Sequence, residues 1–334
     1  MFFEKLRDNF YRVVIPLNLE SLKSVNVYVV KGEKNGLIVD TGMGDNEIFL
    51  KILHILSHVG IEPEETKVVV THFHIDHIGF AKKMLQTGCE LLLSITDWEK
   101  AKKIRSASLK EEAFSFLWMC GCPLNRENFS FFDEVDQVYE IEETDHISFL
   151  SEGDIIEVGQ YKFISILTPG HTPGHVTLYE PTTQIYISGD HLLNEISPTV
   201  QARAIHDDPL RDYLASLNRV SRLPINLVLP SHGEPFFNAK RRIEELFLHH
   251  EKRLKEIIRL LKKKQRTIYE LASLMEWDIH KFDFHGLPIR HKIFAMGEAL
   301  AHANFLKKEG KIEYNFDIDG RVYLRSIESK ETFF

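Results

Sequence analysis

The segment at 71–79, THFHIDHIG, places four side chains that can bind a metal ion within six positions. It follows a run of three valines that reads as a buried strand, so the segment is predicted to be a loop at a strand end. In extended backbone, residues two apart project to one side, so His72, His74 and Asp76 would converge. The adjacent His77 would point elsewhere and could serve a second ion. So many titratable groups this close need an organising charge, which predicts a metal site rather than a solvated loop. The four residues are His72, His74, Asp76 and His77.

Three shorter motifs share the layout of a metal-capable residue just beyond a predicted strand. They are TPGHTPGH at 168–175 with His171, SGD at 188–190 with Asp190, and PSHG at 230–233 with His232. Each motif alone is weak evidence for a site. Together they are the pattern expected when loops from several strands line one cleft.

The order HxHxDH, GHTPGH, GD and SHG, over roughly residues 10–235, resembles the metallo-β-lactamase superfamily. The resemblance implies an α/β (α+β) fold, a four-layer αββα sandwich with its site at one edge. It implies two divalent metal ions, with zinc favoured and iron or manganese compatible with the same ligand types. One ion would be held by His72, His74 and His171, the other by Asp76, His77 and His232, with Asp190 bridging them.

Three further residues are expected to support these ligands through hydrogen bonds. Asp40, in the segment VDTG, matches the position where the family has a buried carboxylate, although a turn aspartate is the alternative. His175 and His191 adjoin predicted ligands, and a purely structural role is the alternative for both.

Departures from other branches of the family narrow the chemistry. Position 77 is His rather than Arg and the bridging position is Asp190 rather than Cys, which argues against hydrolysis of β-lactam antibiotics. His74 replaces the Glu of the flavodiiron oxidoreductases, which favours hydrolysis over electron transfer. Position 75 is Ile where many nuclease branches have Gly, which weakens a ribonuclease interpretation.

The segment DPLRDYLASL at 208–217, followed by PSHGEP and a long helix, resembles the glyoxalase II-like branch with a C-terminal winged-helix-like domain. That resemblance implies hydrolysis of an ester, thioester or lactone of a small acyl substrate. The nucleophile would be a hydroxide bridging the metals, oriented by Asp76 as the catalytic residue. The alternatives are a phosphodiesterase or ribonuclease, and a regulatory protein that retains the metal site. The basic group Lys262, Lys263, Lys264 and Arg266 would discriminate between these two alternatives.

The chain is expected to contain a catalytic domain at 1–238, with a helical insertion at about 97–142, and a second domain at 239–334. The second domain would consist of a long helix and a winged-helix-like module. Aromatic residues of the insertion, among them Phe114, Trp118 and Phe131, would either pack onto the core or form a wall of the substrate pocket.

Composition limits the partners and the compartment. A net charge of −8 and a pI near 6.1 argue against nucleic acid. Acidic residues Asp317 and Asp319 in a predicted hairpin turn favour homodimer or core contacts instead. The absence of a long apolar segment argues against a membrane, and only three cysteines are present, which suits a reducing compartment. These features predict a cytoplasmic protein.

Overall fold

The computed structural model describes residues 2–17, 22–123, 129, 132, 135–277 and 284–327. Phe131, one of the aromatic residues predicted to pack the insertion, lies outside these residues. No helix within these ranges has the length and apolar character needed to cross a bilayer.

A seven-stranded sheet is built from the N-terminal half of the chain. Its strands follow one another in sequence order, antiparallel from β1 to β4 and parallel from β4 to β7. The strands β3 to β6 are rich in Val, Ile and Leu and are largely buried, as strands covered on both faces require. The strands are β1 Phe2–Arg7, β2 Phe10–Pro16, β3 Ser24–Lys31, β4 Gly36–Val39, β5 Thr66–Val69, β6 Glu90–Leu93 and β7 Ile147–Phe149.

A second, five-stranded sheet has the order β12-β11-β10-β9-β8. Its pairs are antiparallel except β11 with β12, which run parallel with Ile187 opposite Leu229. The strands are β8 Ile155–Val158, β9 Tyr161–Leu167, β10 Val176–Glu180, β11 Ile185–Gly189 and β12 Leu227–Pro230.

The two sheets bury a shared apolar core, and helices cover their outer faces. Phe10, Tyr28 and Val69 of the first sheet belong to one buried cluster with Phe163 and Leu178 of the second. Helices α1 Asn46–Val59, α3 Ala81–Gln86 and α4 Ile95–Ala101 pack against the other face of the first sheet. Helix α7, Pro209–Val220, is joined to the end of β9 through hydrogen bonds from Ser216 and Arg219 to backbone carbonyls at 169 and 167. The predicted αββα sandwich is confirmed.

The chain forms two compact units. The first comprises Met1–Arg105, Glu134–Pro198 and Ser216–Arg242, and the second comprises Ser106–Asp133, Thr199–Ala215 and Ile243–Phe334. The stretch predicted as one insertion at 97–142 is thus divided, since helix α5, Ser106–Met119, belongs to the second unit while α6, Asp136–Tyr139, belongs to the first. The proposed domain boundary at 238/239 stays a prediction.

The second unit combines helices with a small sheet of order β13-β15-β14. Thr267 caps helix α9 and forms a reciprocal capping box with Glu270, which fixes where that helix begins. Helix α10 is buried along most of its length, including Met296, Leu300 and Leu306. The elements are α8 Ala239–Leu261, β13 Arg266–Thr267, α9 Ile268–Leu274, a 3-10 turn at Phe284–Gly286, α10 Ile289–Lys308, β14 Ile312–Phe316 and β15 Val322–Ser326.

Two histidines form a buried pair between α8 and α10. The Nδ1–H of His302 donates to the backbone carbonyl of Glu298 at 2.8 Å, so its Nε2 accepts from His250 Nδ1 at 3.0 Å. Burial lowers the pKa of His302 to about 4, aided by Arg253 and His249 and opposed by Glu298. Burial also lowers the pKa of His250 well below its ordinary value. Both rings are therefore neutral in the folded protein at pH 7.

We expect this pair to destabilise the second unit in acid. In the unfolded chain each ring takes a proton near pH 6.5, whereas the folded rings resist it, so stability present at pH 7 is lost as the pH falls. His302 alone should cost about 2 kcal/mol between pH 7 and pH 5. Urea unfolding at both pH values should show a smaller loss in the double variant His250→Leu/His302→Leu than in the wild type. The exposed His206→Ala is the matched control, and an unchanged pH dependence in the double variant would contradict this account.

Candidate metal centre

The four motif loops all leave the ends of strands at one edge of the sandwich. The first loop follows β5 of the seven-stranded sheet, and the other three follow β9, β11 and β12 of the five-stranded sheet. Backbone hydrogen bonds tie the loops together, from Val176 N to Thr71 O at 2.8 Å and from Ser231 N to Gly189 O at 3.1 Å. The cleft predicted from the shared layout of the motifs is therefore present as one cluster of side chains.

The rings of His72, His74 and His171 bring three nitrogens together. His72 Nε2 lies 2.9 Å from His74 Nδ1 and 3.2 Å from His171 Nε2, and the latter two nitrogens are 3.0 Å apart. A tetrahedral zinc ion with bonds of about 2.0–2.1 Å separates two nitrogen ligands by roughly 3.4 Å. Lone pairs this close repel one another unless a proton or a cation lies among them. The spacing therefore fits one metal ion held by three histidines.

A second set consists of Asp76, His77 and His232, whose ligand atoms lie within 4.8 Å of one another. Asp76 Oδ2 is 3.3 Å from His232 Nε2 and 3.6 Å from His77 Nε2. The expectation that Asp76 projects with His72 and His74 from extended backbone is wrong. The chain turns into a short helix, α2 Ile75–Ile78, directly after His74, and this turn carries Asp76 to the side of His77.

Asp190 lies between the two sets with one oxygen toward each. Its Oδ2 is 3.5 Å from His171 Nε2, whereas its Oδ1 is 3.4 Å from His232 Nε2 and 3.8 Å from His77 Nε2. A third group of three ligand atoms, from His72, His77 and Asp190, joins the sets. This carboxylate is placed as a bridge between two ions would be.

Among the residues that the structure describes, His77 Nε2, His232 Nε2 and Asp190 Oδ1 are buried atoms without a hydrogen-bond partner. Each imidazole uses its other nitrogen to donate outward, His232 Nδ1 to the Ser24 carbonyl at 2.7 Å and His77 Nδ1 to Asp40 Oδ2 at 2.8 Å. Buried polar atoms of this kind need a partner, and ligand imidazoles characteristically donate their second nitrogen in this way. The donor set thus fits a second divalent ion.

Three neighbouring carboxylates stabilise a positive charge on the His77 ring. Burial by itself opposes a charged His77, but Asp40, Asp76 and Asp190 outweigh it and raise the pKa of His77 to about 10. The pKa of Asp76 is lowered well below its ordinary value, since His77 and His232 outweigh the opposite effect of burial. A proton and a metal ion therefore compete for the same site, as expected of ligands that must be deprotonated to bind.

Asp40 connects two of the motif loops, 71–79 and 230–233, through one carboxylate. Its Oδ1 accepts from the Thr71 backbone N–H at 2.8 Å and from the Thr71 hydroxyl at 2.9 Å. Its Oδ2 accepts from His77 Nδ1 and from the Ser231 hydroxyl at 2.9 Å. Asp40 adopts φ of 62°, a left-handed conformation that costs energy in a residue with a side chain. The Asp40 carboxylate thus accepts a hydrogen bond from one candidate ligand and from the residue before another, and its role in support of a metal site stays a prediction.

His175 and His191 are both buried, but neither belongs to a set of three ligand atoms among the described residues. His175 Nδ1 shares a hydrogen bond of 2.8 Å with the Thr168 hydroxyl, and its Nε2 accepts from Asp190 N at 3.1 Å, so it supports the bridging residue. Gly189, with φ of 52°, passes so close that a Cβ there would lie 2.7 Å from His175 Nε2. The ring of His191 lies 6.3 Å from that of His175.

Two buried side chains that the motifs did not indicate also contact the ligand loops. Asp97, at the start of α4, accepts hydrogen bonds from the segments around Phe73 and Thr172. Burial raises the pKa of Asp97 to about 6 although those hydrogen bonds act in the opposite direction. The hydroxyl of Tyr139 donates to the carbonyl of Phe73 at 3.0 Å.

The fold and the site define a mixed α/β protein with a His/Asp cluster suited to divalent ions. The chain belongs to the Metallo-beta-lactamase superfamily, whose family model matches residues 21–232. The predicted family is therefore confirmed, and the protein is a hydrolase of that superfamily with a metal-compatible His/Asp cluster.

Similar proteins carry hydrolase names. The probable metallo-hydrolase YqjP of Bacillus subtilis is 27% identical over 91% of this chain and 94% of that protein. Hydroxyacylglutathione hydrolase GloC of Haemophilus influenzae is 27% identical over 62% of this chain and 90% of its own length. Acyl-coenzyme A thioesterase MBLAC2 of Gallus gallus is 23% identical over 66% of this chain and 76% of that protein.

A solved structure supports the same assignment. The crystal structure of a beta-lactamase domain protein from Burkholderia ambifaria superposes with a TM-score of 0.81 at 26% identity. The match covers 97% of this chain and 93% of the other, so the likeness includes the second unit as well as the sandwich.

Proposed function

We propose that the protein hydrolyses an ester, thioester or lactone with the help of two divalent metal ions. The observation that carries the proposal is the pair of three-residue ligand sets joined through Asp190, whose two oxygens face different sets. Zinc, iron and manganese all suit imidazole and carboxylate ligands in such a site. When bound, the ions would lower the pKa of water toward neutrality and polarise a carbonyl oxygen.

Within that class, we propose a thioester of a small acyl group as the substrate. The support comes from two relatives, one named as a hydroxyacylglutathione hydrolase and the other as an acyl-coenzyme A thioesterase. The chain has His77 and Asp190 where the zinc β-lactamases have Arg and Cys, which argues against β-lactam antibiotics as substrates. The names of both relatives refer to substrates that contain an acyl–sulfur bond.

The chain's own residues would contribute charge, orientation and rigidity. Asp76 is held ionised and faces the Nε2 atoms of His77 and His232, so it can accept a hydrogen bond from the attacking water and orient it. His232 and His77 are fixed in their tautomers by Ser24 and Asp40, which keeps both Nε2 atoms directed into the cleft. Preorganised groups of this kind reduce the reorganisation that the reaction requires.

The experiment is metal analysis of the purified protein together with a substrate panel. We expect close to two transition-metal ions per chain, and kcat/KM for thioesters of glutathione or coenzyme A well above that for lactones, phosphodiesters and RNA. Removal of the ions by a chelator should abolish turnover, and added metal should restore it. A preference for phosphodiesters or RNA would replace the acyl-hydrolase proposal by the nuclease alternative. A metal-loaded protein that turns over none of the panel would favour a regulatory role.

We further propose that the second unit contains a winged-helix-like module and that the protein works in the cytoplasm. The module is supported by the order helix, strand, two helices and a two-stranded hairpin, with the three strands in one sheet. Cytoplasmic location is supported by three unpaired cysteines, Cys89, Cys120 and Cys122. The acidic turn at Asp317 and Asp319 supports homodimer contacts rather than nucleic-acid binding for this hairpin.

A further inference from the structure

Asp97 is a buried carboxylate shared by two ligand loops that are far apart in sequence. Its Oδ2 accepts from the backbone N–H of Phe73 at 3.1 Å and from the Thr172 hydroxyl at 2.7 Å. Its Oδ1 accepts from the backbone N–H of Gly174 at 2.7 Å. The side chain is fully buried, and these three hydrogen bonds all come from the two loops.

The loop around Gly174 is shaped to reach this carboxylate. A Cβ at position 174 would lie 2.7 Å from Asp97 Oδ1 and would overlap Ser94 Oγ. Only glycine therefore allows the backbone N–H to approach so closely. The carboxylate and the glycine form a matched contact between helix α4 and the loop that carries His171.

The residue between two predicted ligands is held by hydrogen bonds at both its N–H and its carbonyl. Phe73 lies between His72 and His74, and its N–H donates to Asp97 while its carbonyl accepts from Tyr139. Thr172, which also donates to Asp97, directly follows His171. All three histidines of the first set are thus adjacent to a residue that Asp97 contacts.

We propose that Asp97 is a positioning residue for the first metal site, setting the separation of His72, His74 and His171 before an ion binds. Tyr139 assists by fixing the opposite side of the Phe73 peptide. Asp40 makes the corresponding contact to His77 of the second set, and its hydrogen bonds from Thr71 also reach the neighbour of His72. This inference rests on the proposed metal site and adds the residue that determines its affinity for the first ion.

The test measures metal binding rather than activity. Metal-free full-length protein is titrated with Co²⁺ or Zn²⁺ in competition with a chromophoric chelator, which gives an affinity for each ion. Loss of a supporting hydrogen-bond partner typically weakens metal binding by about 10–100-fold. We expect Asp97→Ala to weaken one ion by that factor and the other much less. Asp97→Asn and Thr172→Val, which each remove part of the contact, should give smaller losses and keep the assay usable if the alanine variant does not fold.

Glu180→Gln is the matched control. Glu180 is an equally buried carboxylate in the same unit, accepting from Thr182 N and from the backbone and hydroxyl of Thr183 at the far end of β10 from His175. This variant should lose stability but bind both ions as the wild type does. The proposal is overturned if the Asp97 and Thr172 variants bind both ions normally, or if the control weakens them equally. A wild-type protein that binds no ion would instead overturn the metal site itself, and this inference with it.

Discussion

Replacement of Asp190 by Ala should lower kcat/KM by about a thousandfold or more, equivalent to roughly 4 kcal/mol of transition-state stabilisation. The two oxygens of Asp190 face His171 on one side and His77 and His232 on the other, so one substitution removes a carboxylate oxygen from beside each set. We also expect the purified variant to contain fewer metal ions per chain than the wild type. Elemental analysis and steady-state kinetics on the best thioester of the panel provide both measurements.

The control for Asp190→Ala is Asp154→Ala, which removes an exposed carboxylate that accepts from Ser151 N in a turn of the same unit. It should retain wild-type kinetics and metal content. The backbone N–H of Asp190 still donates to His175 in the alanine variant, so the loop itself has no reason to unfold. A fully active wild-type protein with close to one ion per chain would show that Asp190 is not a bridge and would indicate a mononuclear enzyme.

Asp76→Asn should lower kcat by about two orders of magnitude or more while changing KM little. Asparagine has nearly the same shape but is neutral and places an N–H donor where one oxygen now faces His77 and His232. The site loses a negative charge that a cation and an oriented water both need, whereas the size of the side chain stays nearly the same. The kinetics should be measured in excess metal, with metal content determined on the same sample.

Loss of both ions would imitate this effect, which is why occupancy must be known. Asp45→Asn is a suitable control because Asp45 is an exposed N-cap of α1 and asparagine caps helices about as well, so this variant makes the same change of side chain outside the site. If Asp76→Asn keeps wild-type kcat with two ions bound, Asp76 is not a metal ligand. The assignment of the HxHxDH motif as the catalytic centre would then have to be abandoned.

The buried strands were predictable because strands that are covered on both faces are rich in apolar residues. Gly36–Val39 and Tyr161–Leu167 are largely apolar runs bounded by Gly or polar residues, a pattern that favours buried strands. Strands β1 and β7 were not predicted. β1 is an exposed edge strand with polar residues such as Glu4 and Lys5, and β7 has only three residues. Because neither composition marks a strand by itself, each segment depends on pairing with its neighbour in the sheet.

The clustering of the candidate ligands was predictable from the sequence, but some of the side chains that contact their loops were not. The candidate metal ligands are recognisable in the sequence because they cluster directly after predicted strands. The sequence around Asp97 instead indicates the start of a helix. Ser94 and Asp97 have the spacing of a helix start, and Ser94 does cap α4 by accepting from Asp97 N. The carboxylate nonetheless contacts residues 24 and 75 positions away, which only the folded chain brings near. Tyr139 likewise reaches Phe73 over 66 positions.

The hydrogen bond between Asp40 and Ser231 joins positions 191 residues apart, which has a consequence for the order of events during synthesis. At about 5–20 residues per second, a ribosome needs roughly 10–40 s to add the chain between them. His72, His74, Asp76 and His77 are made within that interval, followed by His171 and Asp190, and His232 is added just after it. The emerging chain therefore passes through forms with four, five and then six of the seven candidate ligands, and no nascent chain that stops before His232 can complete the cluster.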